Sequence, residues 1–225
     1  TISMPGMMDS ILNIGVNDEN VNDLAEAFDD ERFALDSYRR LIQMYSNVVL
    51  GVEHERFEAV IANKKRMDDV VSDADFNIDQ LHWIINAYKN TVERFTNSPF
   101  PQDPYEQLIG AIEAVFLSWQ NKRAITYRKI NNIPDSLGTG ATVQTMVFGN
   151  LNDKSGTGVA FTRNPSSGIK ELYGEYLINA QGEDVVAGIR TPHPISNEDS
   201  PEEESLESKF PTAYKEINQI TNKLR

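Results

Sequence analysis

Cysteine is absent from all 225 residues. Disulfides, thiolate metal sites and a cysteine nucleophile are thereby excluded, and a cytoplasmic, reducing location fits. Long apolar runs are missing too: none approaches the roughly 18 consecutive residues of a membrane-spanning helix. The first ten residues carry neither the basic nor the apolar region of a secretory signal, and Thr1 stands where an initiator methionine would. A trimmed or excised chain is therefore expected. Positive charge is scarce, with Lys and Arg numbering 21 against 34 Asp and Glu, a formal net charge of -13. That disfavours a surface for nucleic acid or an anionic membrane, both of which reward cations. A local basic pocket for phosphate remains compatible.

Apolar material is sufficient for a core: 40% of residues are hydrophobic, including Phe 10 and Tyr 8. The length suits one large domain or two small ones. Before residue 133 the apolar spacing is helical. Val21, Leu24 and Phe28 form one stripe, and Tyr38, Leu41, Ile42, Tyr45 and Val49 form another, ending at Gly51. Phe57, Val60 and Ile61, then Met67, Val70 and Val71, continue it, followed by Leu81, Ile84, Ile85, Tyr88, Val92 and Phe95. In "SPFPQDPYEQ" (98–107) Asp103 is placed to cap and Pro104 suits the first helical position. A helix carrying Leu108, Ala111, Ile112, Val115, Phe116 and Trp119 is expected to run on to Arg128.

After 133 the pattern becomes strand-like. "TVQTMVFG" (142–149) and "TGVAFTR" (157–163) read as a hairpin around the turn "NLNDKSG" (150–156). "YGEYLIN" (173–179) reads as a third strand and "DVVAGIR" (184–190) as a strand or a strand–helix junction. "SNEDSPEEESLES" (196–208) is acidic and poor in apolar residues, so it reads as a solvated loop. A short helix with Ala213, Ile217, Ile220 and Leu224 follows. The expected class is α+β: about five helices, then a small, mainly antiparallel sheet. The divisions are residues 1–132, 133–195 and 196–225.

Chemistry is thinly marked. Three histidines, His54, His82 and His193, are scattered, and no metal-binding motif or Ser-His-Asp order emerges. Pro5-Gly6 in "SMPGMM" reads as a tight turn with apolar flanks, offering backbone donors. "SLGTGAT" (136–142) sets two glycines around Thr139, where backbone N–H groups and a hydroxyl suit an anion. The lysine of a P-loop is missing there, and a flexible lead-in to a strand is the plainer reading. Gln181 and Glu183 flank a glycine in "NAQGEDVVAG" (179–188), where a carboxylate suits a metal, a ribose or an arginine. Arg39, Arg40, Arg123 and Arg128 sit in helical segments and are expected to be solvated or bridged to carboxylates rather than bound to phosphate.

Taken in order, "SMPGMMDSILNIGVND", "DSYRRLIQMY", "NKRAITYR", "GTGATVQTMVFGN", "SGTGVAFTRNPSSG" and "GEYLINAQGEDVVAGIRTP" resemble the pyruvate, phosphate dikinase family. The resemblance runs from residue 2 to about 195 and is weaker beyond. Phosphoenolpyruvate synthase and the rifampicin phosphotransferases are similar to the second half in looser form. The resemblance implies part of an ATP-grasp nucleotide-binding domain, with ATP and Mg2+ as cofactors. The family moves the β,γ-pyrophosphoryl group of ATP to a histidine on a separate swivelling domain. It then phosphorylates pyruvate in a distant barrel, giving AMP, diphosphate and phosphoenolpyruvate. By the same resemblance Gly6 and the Gly138-Thr139 loop cover the phosphates, and Gln144, Met146 and Val147 line the adenine pocket. Glu183 lies near the nucleotide.

The family's ATP-binding lysine and a phosphate-binding arginine in a "VRSGA"-like strand belong upstream of residue 1. Its metal and phosphate residues, in "DIEF" and "LQTR" strands, belong beyond Arg225. Magnesium ligands are accordingly expected outside this chain. No catalytic residue is assigned, and none of the three histidines matches the phosphorylated one. Implied partners are the nucleotide, the histidine and barrel domains, and a second copy in a homodimer. The chain alone is expected to be inactive and to bind ATP weakly at best. Rival readings are a phosphoenolpyruvate synthase or related phosphotransferase, and a non-catalytic helical interaction module.

Overall fold

Capping side chains open three of the α-helices of the first half in the computed structural model. The structure describes residues 2, 4, 6–186, 188, 190–197 and 205–224. They fall into two compact units, Thr1–Met146 and Val147–Arg225.

In the first unit six helices follow one another: α1 (Val21–Phe28), α2 (Glu31–Val48), α3 (His54–Asp68), α4 (Ile78–Thr96), α5 (Pro104–Ser118) and α6 (Lys122–Ile130). The Asp30 side chain accepts from the Phe33 N–H at the start of α2. At α4, Asn77 accepts from Gln80 N–H while Gln80 reaches back to Asn77 N–H. Asp103 caps α5 through Tyr105 N–H, with Pro104 at the first helical position, as the sequence leads one to expect. Each cap satisfies a donor the helix itself cannot. Asp29, Asp69 and Asn97 end α1, α3 and α4 in the left-handed region, which short polar side chains tolerate.

The core lies where α2 meets α4, with α1 and α3 packed beside them. Leu35, Tyr38, Leu41, Ile42 and Tyr45 of α2 are buried with Leu81, Ile84, Ile85, Tyr88 and Val92 of α4. Phe57 of α3 meets Tyr88 edge-on, with ring centroids 4.9 Å apart. Each fully buried side chain of this size stabilises the fold by roughly 1.5–3 kcal/mol. The expected stripes are these buried faces, with exceptions. Asp69 stops α3 early, and Met67 and Val71 are exposed. Phe95 is exposed as well, beneath the Arg56 and Arg94 guanidiniums.

Two expectations need correction. Six helices stand where about five were expected, because the last is broken. Trp119 N–H turns back to Phe116 O and Leu117 O, and Asn121 adopts extended angles before α6. The second correction is the hairpin. Residues 138–148 form neither helix nor strand. The partner of β1 (Gly156–Phe161) is instead β2 (Tyr173–Ile178), antiparallel, with Val159 opposite Glu175. β3 (His193–Pro194) pairs with the other edge of β2. Gly149 meets the end of β2 through the Ala180 N–H, which donates to Gly149 O at 2.9 Å. Strand propensity measures fit to a pleated, half-buried surface, whereas tertiary contacts choose the partner.

The second unit is completed by α7 (Gly182–Val186), α8 (Leu206–Lys209) and α9 (Pro211–Leu224). Its core joins Leu172, Tyr176, Ile195 and Leu206, with Phe210, Tyr214 and Ile217 packed on them. Of the strand or strand–helix junction expected at 184–190, the junction is present: α7 follows β2, and the Asp184 carboxylate accepts the Gln181 N–H at its start. Ala187 and Ile189 of that stretch, and residues 198–204 of the acidic loop, lie outside the described residues. Helices followed by a small antiparallel sheet make the chain α+β, as expected.

Candidate functional site

Near the N-terminus Met7 N–H donates to Met4 O at 3.1 Å, closing a four-residue turn, and Gly6 takes φ +69. That angle favours glycine, and a Cβ there would meet nothing within 4 Å, so conformation rather than space explains the residue. Ser3 and Pro5 of the same segment lie outside the described residues. The turn is fixed from below. Asp9 N–H donates to the buried Ser118 Oγ at 3.2 Å, and Ser118 in turn donates to Val115 O. The Asp9 carboxylate accepts from Asn121 Nδ2 at 3.1 Å and from the Arg123 guanidinium, which also donates to Met7 O at 3.3 Å.

The second glycine loop hangs from the same corner. Arg128 is 1% exposed, its guanidinium 4.0 Å from the centre of the Trp119 ring. It donates to Trp119 O at 2.6 Å and to Asp135 Oδ1 at 2.7 Å, and Trp119 Nε1 donates to Asp135 O at 3.3 Å. Asp135 opens a 3-10 turn, Asp135–Leu137, that ends at Gly138 with φ +67. Gly138 is exposed and Thr139 half-buried. Both anion-loop candidates of the first unit are thus tied to the corner Ser118–Arg128.

The remaining site candidates are dispersed. Gln144 is exposed and Met146 half-buried, on the stretch without secondary structure. Val147, 84% exposed, and Glu183, half-buried on α7, belong to the second unit. A groove lined by Asp9, Val48, Val49, Gly110, Glu113 and Ser118 adjoins the first turn. Its carboxylates give it the wrong sign for a polyphosphate. Among the described residues no group of three or more His, Asp or Glu could hold a metal. His54 and His82 are exposed beside Glu58 and Glu31.

The four arginines singled out in the sequence bridge carboxylates, as expected: Arg39 and Arg40 to Asp36, Arg123 to Asp9, Arg128 to Asp135. Sequence reasoning missed what two of them do. Arg123 and Arg128 pair with carboxylates as expected, and through those pairs each holds a glycine loop. The signal available was the pairing of Asp9, just after one loop, and Asp135, just before the other, with "NKRAITYR".

Backbone N–H groups of a glycine loop suit an anion, and two such loops are tied to one helix corner of this α+β chain. The family described as Pyruvate phosphate dikinase, AMP/ATP-binding domain, matches residues 1–223, and the chain belongs to it. The chain is 54% identical to "Pyruvate, phosphate dikinase" of Rhizobium meliloti (strain 1021), across 99% of this chain and 25% of that protein. It is 52% identical to the Clostridium symbiosum protein of that name, across 99% and 25%. It is 50% identical to "Pyruvate, phosphate dikinase, chloroplastic" of Mesembryanthemum crystallinum, across 96% and 22%. The chain spans about a quarter of the length of the curated relatives it matches. Among the described residues no helix is long and apolar enough to cross a membrane.

Proposed function

We propose that this chain is the nucleotide-binding part of a pyruvate, phosphate dikinase, which converts ATP, phosphate and pyruvate to AMP, diphosphate and phosphoenolpyruvate. The observation that carries the reading is the family match over residues 1–223. In this reading the domain is of the ATP-grasp type, and the Gly6 and Gly138-Thr139 loops present backbone N–H groups to the phosphates. Gln144, Met146 and Val147 line the adenine, and Glu183 lies near the nucleotide. Pyrophosphoryl transfer needs positioning and charge neutralisation rather than covalent help from this domain. Magnesium and the acceptor histidine come from elsewhere in the enzyme. A cytoplasmic homodimer belongs to the same reading.

Residues 1–225 alone are proposed to bind ATP weakly and to transfer nothing. Supporting this, Arg39, Arg40, Arg123 and Arg128 are engaged by carboxylates, so the charges of these four are already compensated and offer little to a triphosphate. Calorimetric titration of residues 1–225 should give a dissociation constant on the order of 1 mM or weaker. Micromolar, magnesium-dependent binding would overturn that part. For the whole reading, the decisive measurement is phosphoenolpyruvate formation by a full-length enzyme carrying this segment. Absence of product, or use of water in place of phosphate, would refute it.

A further inference from the structure

We propose that Arg123 and Arg128 are positioning residues of the nucleotide site, holding the two glycine loops at the two ends of α6 without touching the nucleotide. The inference rests on the reading that those loops cover phosphates. Its geometric half stands on contacts alone.

Arg123 lies in the first turn of α6 and Arg128 in the last, five residues apart. That separates them by about 7.5 Å along the axis and about 140° around it. Their guanidiniums therefore leave the helix in different directions, one to each loop. Arg123 forks between the Asp9 carboxylate and Met7 O, immediately beside Gly6. Arg128, stacked under Trp119, forks between Trp119 O and Asp135, three residues before Gly138. A planar guanidinium with several fixed donors suits this task, since one side chain fixes two acceptors at once.

The corner adds rigidity at both ends. Ser118 holds the Asp9 backbone, and Trp119 holds the Asp135 backbone. Each loop is thus held through backbone and carboxylate together, against one short stretch, Ser118–Arg128. A polyphosphate gripped by two loops requires a set distance between them, and displacement by about 1 Å can cost up to about 100-fold in rate. α6 is the element that fixes this distance. It buries little apolar surface of its own, Ala124 and Arg128 being its buried residues, so Arg128 accounts for much of its packing.

The test uses two readouts in a full-length pyruvate, phosphate dikinase that carries this chain as its segment. Amide hydrogen exchange without nucleotide reads the loops directly. Arg123→Ala should speed exchange about tenfold in residues 6–9 and leave 135–141 unchanged. Asp135→Ala should do the reverse. It replaces an exposed side chain and leaves the buried Arg128 guanidinium its Trp119 O acceptor and the Trp119 ring. A thermal melt of each variant confirms that it is folded before exchange is read. In steady-state kinetics both variants should raise the KM for ATP about tenfold and leave the KM for pyruvate unchanged. Arg123→Lys should recover part of the loss, because lysine keeps the charge on Asp9 but not the fork.

Native exchange in a loop whose tie is cut would overturn the proposal. So would a loosened loop with an unchanged ATP KM, or a fall in kcat with both KM values unchanged, which reports fewer folded molecules. If the parent enzyme made no product from ATP, the functional reading would fail, and the exchange data would still decide whether the arginines hold the loops.

Discussion

Replacing Asp36 by Asn should destabilise the helical unit by about 3 kcal/mol, the low end of the cost of breaking a buried ion pair. Asp36 and Arg39 are 6% and 3% exposed. Arg39 Nε donates to Asp36 Oδ1 at 2.9 Å, and Arg40 Nε donates to Oδ2 at 2.9 Å. Asparagine removes the charge and leaves the Arg39 guanidinium buried, with the neutral Gln43 Oε1 at 3.2 Å as a remaining acceptor. For a chain of this size the loss corresponds to a fall in Tm of about 6–12 °C, measurable by far-ultraviolet circular dichroism. Burial alone raises the Asp36 carboxyl, but the Arg39 and Arg40 guanidiniums outweigh it and hold the group below the usual carboxylate range. The folded value thus lies below the unfolded one. The stabilisation is complete above about pH 4 and fades as the pH falls toward the folded value. The gap between wild type and Asp36→Asn should be constant from about pH 7 to 5 and close below about pH 4. The pair Asp36→Leu/Arg39→Met should recover most of the loss, because the fully buried Arg39 charge goes with its partner and the remaining Arg40 is partly exposed. A shift under about 2 °C for Asp36→Asn, or a double variant as unstable as the single, would refute the reasoning.

Gln107 is fully buried and accepts from Gly15 N–H at 2.8 Å while donating to Val16 O and Pro101 O. Gln107→Leu orphans these groups and should cost about 2–3 kcal/mol, read from urea midpoints. Gly110 gives room to α2: a Cβ would come within 2.3 Å of Tyr45 Oη and 3.1 Å of Val49 Cγ1. Gly110→Ala should therefore lower Tm despite alanine's helix propensity of about 1 kcal/mol, with a net cost of about 1–2 kcal/mol. An unchanged or raised Tm would show that the ring shifts freely.

Much of the helical unit was legible. The i, i+3, i+4 spacing of Tyr38, Leu41, Ile42 and Tyr45 is a local property of the helix, and those residues are buried. Asp103 and Pro104 act within one turn, so the start of α5 needed no tertiary information. The break after Ser118 was not legible, because the apolar pattern runs on while Trp119 turns aside to cover Arg128. Nor was the idle stretch 142–148: Val143 and Val147 have strand propensity, yet both are exposed. Of the candidate site, the two glycine loops were visible as turns, but not their common anchorage. Asp9 and Arg123 are 114 residues apart in sequence.

The sequence by itself determined the α+β order, the start of α5 at Asp103 and Pro104, the absence of thiol chemistry and, through long collinear motifs, the family. All of these are written in neighbouring residues or in composition. Only the tertiary structure decided which strand pairs with β1 and which charge meets which. It also decided that one short helix holds both glycine loops. Pairing partners and buried ion pairs are chosen by distance in the folded chain, which local propensity does not encode.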